Sequence, residues 1–88
     1  MFRIRWRKSV SRKLLDECAK ADPALLNEIL DAMADVESIL RNEPEFVGES
    51  RDLGKRCLIV DPISVIYRVD NRNRIVAVAR AWVHSSRK

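Results

Sequence analysis

Residues 2–7 alternate Phe, Arg, Ile, Arg, Trp, Arg. A period of two predicts a strand with Phe2, Ile4 and Trp6 on one face and Arg3, Arg5 and Arg7 on the other. The period then lengthens. Val10, Leu14, Cys18 and Ala21 fall at helical spacing, which predicts a helix over 10–21 with Ser9 as its N-cap. Asp22-Pro23 marks a restart, because Asp caps and Pro at the first helical position lacks an N–H that would be unpaired anyway. A second helix over 24–42 places Leu25, Ile29, Met33, Val36 and Leu40 along one stripe, widened by Leu26, Leu30 and Ile39. Glu28, Asp31, Asp35, Glu37 and Arg41 take its wet side. Pro44 ends it, since the residue before a proline disfavours the helical region.

Residues 43–55 read as a loop broken by Gly48 and Gly54. Arg56-Cys57-Leu58-Ile59-Val60 is a short strand and Asp61-Pro62 a turn. Ile63 to Val69 alternates Ile63, Val65, Tyr67 and Val69 against Ser64, Ile66 and Arg68. After a turn at 70–73, residues 74–84 form the last strand. Ile75, Ala77, Ala79, Ala81 and Val83 are expected on one face, and Val76, Val78, Arg80, Trp82 and His84 on the other. The order β-α-α-β-β-β predicts an α+β fold in one domain, 1–88. Its two layers are a helical hairpin and a mainly antiparallel four-stranded sheet, with the hairpin on one sheet face. The other face has no element left to cover it. Arg3, Arg5, Arg56, Arg68 and Arg80 are the candidates to line it.

Composition narrows the class. Of the 88 residues 47% are apolar and 34% charged, which excludes a disordered tail and a collagen-like fibre. No apolar run reaches the ~20 residues of a spanning helix, so no membrane partner is expected. The basic start has no apolar h-region behind it, so no secretory signal is expected. Cys18 and Cys57 fall on apolar periodicity and read as buried thiols. They are too few for a disulfide framework and, with one histidine, for a Cys/His zinc site, which points to the reducing cytoplasm. Lys and Arg number 17 against 13 Asp and Glu, a net charge of +4. Both ends of the chain are basic and the middle is acidic. Should the ends meet in space, one surface is positive and suits phosphate or an acidic partner. Most of these bases are arginines, whose planar fork matches phosphate and carboxylate.

The sequence has no phosphate-binding glycine loop, no His-Glu-x-x-His and no nucleophile elbow. What remains is arginine on strands. An arginine cluster holds a phosphodiester and stabilises the extra charge of its transition state. RNA supplies its own nucleophile, the 2′-hydroxyl, so a protein that cuts it has to orient the strand, move a proton and offset a charge. Each candidate also has a plainer reading. Arg80 can lie over apolar neighbours Val78 and Trp82, and Arg56 can pair with Asp52 or Asp61. His84 and Glu49 can be solvated surface groups, Trp6 and Trp82 packing residues, and Tyr67 core.

Gly48-Glu49-Ser50-Arg51, Arg56-Cys57-Leu58-Ile59-Val60, Val65-Ile66-Tyr67-Arg68-Val69 and the strand from Ile75 to His84 follow one another in order. In this combination, over nearly the whole chain, the sequence resembles the RelE/ParE superfamily of bacterial toxins. The resemblance implies a toxin of a type II toxin–antitoxin system, held inactive by a cognate and acidic antitoxin. RelE-type members cut messenger RNA on the ribosome without a metal or other cofactor. ParE-type members bind DNA gyrase, and a non-toxic interaction module with the same fold is a third alternative. By correspondence, Arg56 and Arg80 are the catalytic arginines, and His84 or Glu49 moves protons. Arg51, Lys55 and Arg68 bind RNA. The sequence departs from the family pattern in two places: the loop before Arg56 is poor in lysine, and no tyrosine follows Arg80.

Overall fold

The computed structural model describes residues 1–50 and 52–84. Strand β1 (Arg3–Trp6) leads into helices α1 (Lys8–Lys20) and α2 (Pro23–Asn42). There follow a two-residue strand β2 (Glu49–Ser50), a single 3₁₀ turn (Asp52–Gly54), and strands β3 (Lys55–Val60), β4 (Ile63–Asp70) and β5 (Ile75–Val83). The expected α+β architecture of a helical hairpin on a mainly antiparallel sheet is present. The sheet has five strands rather than four, in the order β1-β5-β4-β3-β2. The extra strand is the Glu49–Ser50 pair, which the loop reading passed over. β3, β4 and β5 form the antiparallel meander, and β1 runs parallel to β5. A parallel neighbour needs a long crossover, and helices supply it.

Helix α2 begins as its sequence dictates. Asp22 accepts the Leu25 N–H at 2.8 Å and Pro23 occupies the first turn. Helix α1 corrects the Ser9 cap. The Arg7 carbonyl already accepts from the Ser11 N–H at 3.0 Å, so the helix starts at Lys8, with Ser9 inside its first turn and no side-chain cap. The core lies between the helices and one sheet face. Val10, Leu14, Ile29, Val36 and Leu40 meet Leu58, Ile63, Val65, Tyr67, Val76 and Val78 there. Burying each such side chain contributes about 1.5–3 kcal/mol. Two positions depart from expectation. Leu30 is half exposed, and Glu37 turns in from the wet side to accept the Trp6 indole N–H at 3.0 Å.

Strand β4 keeps its predicted alternation, with Ile63, Val65 and Tyr67 fully buried. Strand β5 does not keep its own. Ile66 pairs with Arg80 and Tyr67 with Val78, so Ala79 is an extra residue without a partner on β4. A bulge of one residue exchanges the two faces beyond it. Val76 and Val78 therefore point to the helices, but after the bulge it is Ala81 that is buried, while Arg80 is exposed. The strict alternation expected over 74–84 is corrected on that ground.

Candidate nucleic-acid interface

The uncovered sheet face is built from register. Lys55 pairs with Arg68, Arg68 with Ala77, and Ala77 with Arg5. Directly paired residues share a face, so these four form one transverse row across β3, β4, β5 and β1. The bulge at Ala79 brings Arg80 to the same face, and Arg7 follows β1 to its end. Arg7, Lys55, Arg68, Ala77, Ala79 and Arg80 line a shallow concavity of about 380 Å³. Its floor is alanine and its rim is cationic. Arg5, Arg7, Arg68 and Arg80 are exposed and Lys55 is half-buried. Among the described residues none of these five forms an ion pair.

Five cations gathered on one face repel one another, because physiological salt screens surface charges only beyond about 8 Å and Lys55 and Arg68 are direct cross-strand neighbours. A polyanion relieves that repulsion and releases its own counterions on binding. The lining holds no carboxylate, imidazole or phenol. The concavity can hold and neutralise phosphate, but by itself it offers no acid or base outside its cations.

The other half of this face is apolar. Cys57 is buried, Ile59 is exposed, and Trp82 is half-buried opposite Ser64. The Arg80 guanidinium carbon lies 5.8 Å from the Trp82 ring centroid, at the outer range of a cation–π contact. Arg80 thus joins the basic concavity to the apolar half, and part of its plainer reading holds as well.

The structure separates the expected site residues. Arg56 pairs with the buried Tyr67, which places it on the helix-side face and not on the uncovered one. Its Nε donates to the Val47 carbonyl at 3.0 Å and an Nη to the Gly48 carbonyl at 3.2 Å. Arg56 is therefore corrected as a lining residue of the open face. Lys55 pairs with Arg68, and alternation along β3 puts its neighbour Arg56 on the opposite face, with Leu58 and Tyr67. Tyr67 donates its hydroxyl to the Pro44 carbonyl at 2.8 Å and is also placed 3.0 Å from the Val47 carbonyl. Burial raises its pKa, and the neighbouring Arg56 offsets part of that rise.

His84 lies four residues beyond Arg80, about 13 Å along the strand. Its backbone N–H donates to the Pro62 carbonyl at 2.8 Å, and its Nε2 lies 3.7 Å from an Asp61 carboxylate oxygen. That Nε2 has no hydrogen-bond partner among the described residues. Glu49 is exposed on β2 and belongs to the row Glu49–Cys57–Ile66–Arg80. It shares the open face with Arg80 at three strand spacings, about 14 Å. Arg51 lies outside the described residues. Of the seven expected site residues, the concavity gathers Lys55, Arg68 and Arg80. It adds Arg7, and Arg5 flanks it. Their signal was the alternation of residues 2–7.

Cys57 is buried as expected, whereas Cys18 is only half-buried, at the rim of an apolar groove shared with Leu15 and Leu30. Among the described residues no three of His, Cys, Asp and Glu gather as metal ligands. Among the described residues no helix is long and apolar enough to cross a membrane.

No sequence-family model matches the chain, and no curated protein matches it. Solved structures do. The toxin–antitoxin complex RelBE2 of Mycobacterium tuberculosis contains a chain that matches with a TM-score of 0.71 at 21% identity, over 94% of this chain and 91% of that one. A chain of the chromosomal ParDE system of P. aeruginosa matches with a TM-score of 0.74 at 16% identity, over 97% and 98% of the two chains. The isolated E. coli RelE toxin matches with a TM-score of 0.63 at 10% identity, over 100% and 89%. The element order, the hairpin-covered sheet and these matches agree: the chain has the fold of the RelE/ParE toxins.

Proposed function

We propose that this chain is the toxin of a type II toxin–antitoxin pair, and that it acts on messenger RNA at the ribosome in the manner of RelE-type endoribonucleases. The observation that carries this reading is the concavity on the uncovered face, where Arg7, Lys55, Arg68 and Arg80 stand over alanines without a counter-charge among the described residues. Arg80 and Arg68 hold the scissile phosphate and offset the charge that grows on it when the 2′-hydroxyl attacks. Glu49 is the open-face carboxylate of the same transverse row and takes the proton if the strand bends toward it. His84 serves the leaving oxygen only after the end of β5 moves. Arg56 acts through the 47–48 backbone that it holds. An acidic antitoxin neutralises the same cations and blocks the face.

One observation favours a second reading. The concavity contains no proton-transfer group outside its cations, which fits a ParE-type toxin that binds gyrase and cuts no RNA. Induction of the chain alone in a bacterium separates the two. Growth arrest with message ends mapped inside codons supports the RelE-type reading. Arrest with intact messages and a DNA-damage response supports the ParE-type one. Unimpaired growth would leave an interaction module that is not toxic.

A further inference from the structure

We infer that Arg5 of β1 and Arg7, the residue that follows this strand, form a second phosphate-binding wall, so that a single-stranded RNA backbone lies in a two-sided trough along β5. This rests on the RNA-binding reading of the open face and extends it to a strand none of whose residues the family resemblance assigns a role. The parallel pairing of β1 with β5 sets Arg5 directly against Ala77, while Arg68 and then Lys55 stand on the opposite side of the same alanine. Arg68 and Arg5 are two strand spacings apart, about 10 Å. Ala77 is exposed and Ala79 half-buried, so the floor between the walls is open and carries no long side chain. Arg7 extends this wall to the level of the bulge, where Arg80 of β5 lines the same concavity.

Chemistry decides the occupant. Both walls are cationic, and the guanidinium groups of Arg5 and Arg7 have no ion-pair or hydrogen-bond partner among the described residues. A trough with like charge on both flanks suits a ligand that is itself a chain of negative charges, as a nucleic-acid backbone is. A lone anion would need only one wall.

The test is the salt dependence with which the purified full chain binds a labelled single-stranded oligouridylate. For single strands the slope of log affinity against log salt falls by about 0.7 for each phosphate contact removed. Arg5→Gln and Arg7→Gln should each make the slope shallower by about 0.7, and the double variant by about 1.4. Arg12→Gln with Arg72→Gln removes the same charge from exposed positions on α1 and the 71–74 turn, and should leave the slope unchanged. Arg5→Lys with Arg7→Lys should also keep it. A double glutamine variant that binds with the full wild-type slope overturns the second wall while leaving the RNA reading intact. Failure of the wild-type chain to bind the oligonucleotide overturns both.

Discussion

Arg56 and Tyr67 face each other across β3 and β4, and both bring a donor to within 3.0 Å of one acceptor, the Val47 carbonyl. The pair ties the 44–48 loop to the sheet. Arg56→Lys removes the planar fork that reaches the Val47 and Gly48 carbonyls together. It should lower stability by about 1–2 kcal/mol, read from the urea midpoint, with RNA affinity little changed. Loss of RNA binding at unaltered stability would instead place Arg56 in the target site.

Tyr67→Phe leaves the Pro44 carbonyl without its buried donor and should cost about 1–3 kcal/mol. It also changes the alkaline limb. Burial raises the Tyr67 pKa above its ordinary 10.0, so the unfolded chain loses this proton first. The stability that the neutral phenol contributes is complete below about pH 10 and is lost as pH rises through the folded-state value. Denaturation across pH 9–11 should show a decline in the wild type that the phenylalanine variant lacks. Parallel curves would show that another group governs that limb.

Gly48 occupies the left-handed region at φ +71°, and a β-carbon there would stand 2.5 Å from the Cys57 carbonyl oxygen. Gly48→Ala should destabilise by about 2 kcal/mol or more, through backbone strain and displacement of β3. A melting temperature equal to the wild type would mean that the 48–50 segment does not hold β3 at that distance.

Arg80 is exposed and, among the described residues, its guanidinium takes part in no hydrogen bond or ion pair. Arg80→Ala should keep the fold within about 0.5 kcal/mol, because removing it relieves repulsion from Arg7, Lys55 and Arg68. RNA affinity should fall uniformly across base sequences. Equal binding by the two proteins would remove Arg80 from the interface.

The strand and helix periods of this chain are legible because one face of each element is buried. Phe2, Ile4 and Trp6 against Arg3, Arg5 and Arg7 is such a pattern, and so is the α2 stripe through Ile29, Val36 and Leu40. The faces of β5 were not legible. One bulged alanine, Ala79, exchanges them, and alanine fits either environment without leaving a mark in the pattern. The placement of Arg56 failed for a related reason. The register of β3 on β4 puts Arg56 beside Tyr67, and an arginine that binds carbonyls reads like one that waits for phosphate. Arg3 and Arg5 were legible as candidates for the open face, but not the residues they would stand beside. Their neighbours come from β5, some seventy residues away in the chain, and only the parallel pairing reveals them.

The role of the basic concavity is tested most directly by cutting of a translated message in a ribosome-containing extract. Purified wild-type chain is compared there with Arg68→Ala/Arg80→Ala, both first shown to melt at the same temperature. The wild type should release message fragments with ends inside codons, and the double variant should release at least a hundredfold fewer, the size of effect expected when charge stabilisation is removed. Equal fragment yields from two equally folded proteins would contradict it.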